Sequence, residues 1–68
     1  MNLKAGDLIR LQGHVVCGVD IDKPTMCEIV LVYPGDCVFE VRIPGEPETQ
    51  IIPEACLRWL ADEAAGRN

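Results

Sequence analysis

The stretch from Val38 to Leu60, VFEVRIPGEPETQIIPEACLRWL, constrains the fold more than any other part of the chain. Phe39, Val41 and Ile43 alternate with Glu40 and Arg42, the period-2 pattern of a strand buried on one face. Pro44-Gly45 follows. Proline presets φ near −65° for the second position of a turn, and glycine accepts the positive φ of a type II turn at the third. Pro47 keeps Glu46–Glu48 out of a central strand, because it has no N–H to donate. Thr49–Ile52 resumes a β-prone run, which Pro53 stops.

The same grammar covers the first half. Gly6-Asp7 signals a turn. Asp7–Gln12 predicts a first strand, with Ile9 and Leu11 inward and Arg10 and Gln12 outward. Gly13 breaks it. His14–Asp20 predicts a second strand, with Val15, Cys17 and Val19 on one face. Asp20–Thr25 is rich in turn formers and predicts a loop. Met26–Tyr33 predicts a third strand. Pro34-Gly35-Asp36 repeats the Pro-Gly device ahead of a fourth strand, Cys37–Ile43, and Thr49–Ile52 is the fifth. These strands predict a shared core of Ile9, Val15, Val19, Ile29, Leu31, Phe39, Val41 and Ile51, and Trp59, Tyr33 and Phe39 are expected to fill core space.

The end of the chain admits two readings. In one, Pro53–Cys56 forms a single 3₁₀ turn, Leu57–Leu60 a short closing strand, and 61–68 a helical turn or frayed tail. In the other, Pro53 opens a helix that runs to Ala65 and stops at Gly66. Leu57, Leu60, Ala61 and Ala64 fit its apolar face. The first is preferred, because small barrels close in that way. Short strands with turn signals every eight to twelve residues then predict an all-β fold: a five-stranded SH3-like barrel over 1–60, followed by a short C-terminal helical tail over 61–68. Closing the sheet removes its edges.

Composition narrows the function. The net charge of −5 over 68 residues argues against a binder of phosphate backbones, which needs clustered Lys and Arg. No apolar run approaches the length of a membrane span. Residues 2 to 12 carry charges and no apolar stretch of the kind a signal peptide has, so the expected location is cytoplasmic, with all four cysteines reduced. His14 and Cys17 form H-x-x-C, but none of the spacings typical of structural zinc occurs. The expectation is therefore no metal, no cofactor and cysteines that act as small hydrophobes. The acids of Asp20/Asp22 and Glu46/Glu48 sit in loops. General acid–base work would need a cleft around them.

The third strand carries the remaining signal. From Ile29 onward it is apolar on both faces, so Val30 and Val32 ask for cover from the tail or from a second subunit. In a chain this small the expectation is a homo-oligomer whose interface uses Val30, Val32 or the Gln50–Ile52 strand.

Two segments resemble a known family. Ala5-Gly6-Asp7-Leu8-Ile9-Arg10 and Thr49–Leu57 are similar to the first strand and closing segment of the plasmid-borne type II dihydrofolate reductases. The likeness covers about a third of the chain. It implies an SH3-like barrel assembled around a central pore, with Gln50 and Ile51 lining it. Ile52 stands where the family has a tyrosine, and Leu11 where it has a lysine. The family's ligands, NADPH and folate, are anions, and an acidic pore without those lysines repels them. The leading reading is thus a non-enzymatic, self-associating SH3-like module for a protein or small-ligand partner, with Gln50, Ile51 and Ile52 as candidate ligand contacts. The alternative is a reductase-like enzyme with its site in an oligomer pore.

Overall fold

The computed structural model describes residues 2–16 and 18–66; for 14–16 the backbone alone is described. Four strands, β1 (Leu8–Val16), β2 (Val19–Tyr33), β3 (Val38–Arg42) and β4 (Gln50–Pro53), precede one helix, α1 (Glu54–Ala64). All neighbouring strands pair antiparallel, in the order β1-β2-β3-β4. The fold is thus mostly antiparallel sheet with a C-terminal helix. The sheet stays open and has four strands, where the sequence predicts five closed into a barrel.

The missing strand has a local cause. Asp20–Thr25, predicted as a loop, lies inside the 15-residue β2. The β1–β2 register shifts between Leu11 and Gly13, whose partners are Thr25 and Ile21. Three β2 residues, Asp22, Lys23 and Pro24, stand against Gln12 alone, two more than the ladder holds, and the bulge they form tolerates the absent N–H of Pro24. Two side chains close the bulge locally: Gln12 Nε2 donates to the Asp22 carbonyl at 3.4 Å, and Thr25 Oγ1 to the Lys23 carbonyl at 2.8 Å. Gly13 accordingly continues β1 rather than ending it.

The turns follow the sequence in two of three cases. Gly6 has φ of +96°, and its N–H and the Asp7 carbonyl both bond Ile29, at 2.8 Å. Gly45 has φ of +91°, and the Glu46 N–H donates to the Ile43 carbonyl at 3.0 Å. In the Pro34–Cys37 turn the positive φ falls on Cys37 (+55°), not on Gly35. A side chain in that region is strained. The conformation accompanies a 2.8 Å bond from the Glu54 N–H to the Cys37 carbonyl, which satisfies one of the free donors at the start of α1.

The helical reading of the end is the one observed. Pro53 precedes the first helical residue in extended conformation, and Gly66, at φ +78°, turns the chain out of α1. Leu57 and Leu60 are fully buried and Ala61 packs on the same cluster. The 3₁₀ turn and closing strand are absent because this stripe at helical spacing has a surface to cover: α1 lies chiefly against β1, where the open sheet leaves its inner face bare.

The core comprises Leu11, Val19, Ile21, Cys27, Ile29, Phe39, Val41, Ile43, Ile52, Leu57 and Leu60. Ile9 packs on it half-buried, and the side chain of Val15 lies outside the described residues. Two expected members are corrected. Leu31 is exposed because the β2–β3 register shifts between Ile29 and Leu31, so Val30 is the extra residue and inward alternation passes to Val32. Ile51 is exposed because Ile52, opposite Phe39, takes the inward position. Tyr33 and Trp59 are also partly exposed, so of the three aromatics Phe39 alone fills the core.

A candidate docking face and two clefts

The register shift at Val30 gives the sheet an outward face of mixed character. Leu31 on β2 faces Glu40 on β3, which faces Ile51 on β4. Leu31 is 47% exposed, Ile51 55% and Tyr33, two residues beyond Leu31, 37%. Large apolar side chains thus flank one carboxylate. That carboxylate is held on both oxygens: the Tyr33 hydroxyl donates to Oε1 at 3.0 Å and Thr49 Oγ1 to Oε2 at 2.7 Å. Losing its proton would cost Tyr33 this bond and set a phenolate beside Glu40, so the Tyr33 pKa is raised, the hydrogen bond being the largest cause. Arg42 follows Glu40 on the same face, with its Nε 3.7 Å from Glu28 on β2.

The residues singled out from sequence separate. Gln50 is half-buried, Ile51 is on the outward face, and Ile52 is fully buried on the opposite side. Val30 is half-buried at the bulge, and Val32 packs against the molecule's own core. Beyond Ile29 the open residues of β2 are therefore Leu31 and Tyr33. Period-2 reading misses this, because a bulge exchanges the two faces and leaves no composition signal.

Two clefts flank the β1–β2 hairpin. The first, about 130 Å³, is lined by Gly18, Val19, Asp20, Ile43, Glu46 and Gln50. The second, about 370 Å³, is lined by Gln12, Gly13, Ile21, Asp22, Trp59 and Glu63. The acids that share a cleft are thus not sequence neighbours: Asp20 lies with Glu46, and Asp22 with Glu63. Sequence spacing gives no access to such pairings.

The cysteine expectation needs correction. Cys27 is a buried free thiol and Cys37 an exposed one, but Cys56 is disulfide-bonded. Cys17 lies outside the described residues. With Cys56 on a helix turned back onto the sheet, its neighbours are set by packing and not by sequence spacing. The expectation that all four cysteines are reduced therefore does not hold. Burial raises the pKa of the Cys27 thiol. Among the described residues no three His, Cys, Asp or Glu side chains gather as a metal would require, and no helix is long and apolar enough to cross a membrane.

Compared with known proteins, the chain matches no protein-family model, no curated protein and no solved structure.

Proposed function

We propose that the protein is a small, non-enzymatic binding module of SH3-like character that self-associates through the outward face of β2, β3 and β4. The row Leu31–Glu40–Ile51, flanked by Tyr33, carries this reading. Large exposed apolar side chains gathered on one face mark interaction surfaces, and this face is also self-complementary in charge. Glu40 and Arg42 stand two residues apart on one strand, about 7 Å. Stacking β3 antiparallel on a second copy about a two-fold axis at Val41 sets each Glu40 against the partner's Arg42. Such an axis repeats every contact twice. A standard interface covers about 800 Å² per partner, roughly a fifth of the 4422 Å² surface. Pairing with Glu40 competes with the long, exposed Arg42–Glu28 contact, which is worth little.

Sedimentation and light scattering at micromolar concentration test the reading. The wild type sediments as a dimer. Glu40→Arg and Arg42→Glu each shift it to monomer, and the double exchange restores the dimer. A monomeric wild type, or single exchanges without effect, removes the proposal. NADPH-dependent turnover of dihydrofolate would replace it with the pore-enzyme reading.

A further inference from the structure

We propose that the cleft between the β1–β2 hairpin and α1 is a binding site for an organic ammonium ion. Trp59 would be its platform, and Asp22 and Glu63 its counter-charges. The cleft draws on three elements: Gln12 and Gly13 from β1, Ile21 and Asp22 from β2, Trp59 and Glu63 from α1. Trp59 and Glu63 are four residues apart, so they share one side of the helix. The buried stripe of α1 is Leu57 and Leu60, and Trp59 lies beside it with 47% of its surface open. An indole left open at a concave surface is the strongest cation–π partner among side chains.

The surroundings select the sign and the type of ligand. Among the described residues no Lys or Arg lines the cleft. Neither Asp22 nor Glu63 has an ion-pair partner among the described residues. Anions meet two carboxylates in a chain of net charge −5. A hard metal ion wants six or more oxygens at fixed geometry, whereas one wall here is indole and another is Ile21. An alkylated ammonium meets both kinds of wall: its methyl groups lie on Trp59 and Ile21, and its charge is shared by the carboxylates. Gln12, tethered through Nε2 to the Asp22 carbonyl at 3.4 Å, braces the strand that carries one of them. The site lies apart from the outward face and does not depend on self-association.

Trp59 is the sole tryptophan, so its fluorescence reports directly on the cleft. Titration of the full chain with choline, at constant ionic strength, gives a saturable change with a millimolar midpoint. The neutral isostere 3,3-dimethylbutan-1-ol gives none. A short peptide carrying trimethyllysine separates the two sources of such a group: tighter binding than choline assigns the cleft to a protein side chain, equal or weaker binding to a free amine. Ligand-observed NMR extends the test to variants. Trp59→Leu abolishes the choline signal, and Glu63→Gln and Asp22→Asn each weaken it several-fold while leaving the fold intact. An equal response to choline and its isostere, or binding unchanged in both carboxylate variants, overturns the proposal.

Discussion

Phe39 shows how much one side chain carries. It is 4% exposed, opposite Val32 on one side and Ile52 on the other. Truncation to alanine opens a cavity that the pairing strands cannot close. Phe39→Ala therefore lowers stability by about 3–5 kcal/mol in denaturant melts; a loss below about 1 kcal/mol would be that of a surface site. Tyr33 gives a pH signature. Its folded pKa is raised above the unfolded value, so the stabilisation is complete below the unfolded pKa near 10 and is lost as pH rises through the folded pKa. As the sole tyrosine, it can be titrated by absorbance. Its midpoint lies above that of a free tyrosine, and Glu40→Gln moves it back down. An unchanged midpoint would mean that the 3.0 Å bond does not persist in solution.

At the scale of elements, two irregularities set the design. The bulge around Pro24 lets β2 continue through a polar segment, and the register shift at Val30 exchanges the faces of its last turn-ward residues. The first joins the end of the predicted His14–Asp20 strand to the predicted third strand, while residues 14–16 belong to β1; the second exposes Leu31 and Tyr33. Helix α1 owes its stability to the sheet, because 11 residues are too few to hold a helix in water unaided. Arg58 and Glu54, 2.8 Å apart and one turn from each other, form an exposed pair that water screens and that adds little. The buried leucines matter more. Leu60→Ala costs about 2–5 kcal/mol and lowers helical circular dichroism together with sheet signal. Independent loss of the helix alone, with the sheet intact, would contradict the shared core.

At the scale of the whole molecule, 68 residues leave little margin for a core that must order every strand. The disulfide at Cys56 adds a constraint on the unfolded chain. Its reduction lowers stability by about 2–4 kcal/mol. Without reductant, unfolded protein presents Cys27 and Cys37 as titratable thiols but not Cys56, and an intact mass two hydrogens below the fully reduced chain. In native protein Cys37 reacts first, because Cys27 is buried and its thiol resists ionisation. Four reactive thiols on unfolding would show that Cys56 is unpaired.

The amino-acid sequence by itself determined what depends on near neighbours. The inward and outward residues of β3, the Pro44-Gly45 turn, the Gly6-Asp7 turn and the apolar stripe of α1 are all legible, because periodicity and turn chemistry act within a few residues. Tertiary structure decided the rest. Whether Asp20–Thr25 is loop or bulged strand depends on β1 lying alongside. Whether Pro53–Ala64 is helix or closing strand depends on which surface needs cover. The docking face follows from a one-residue register shift, and the Trp59 cleft from three elements meeting. These are contacts between residues distant in the chain, and their energies have no trace in local pattern.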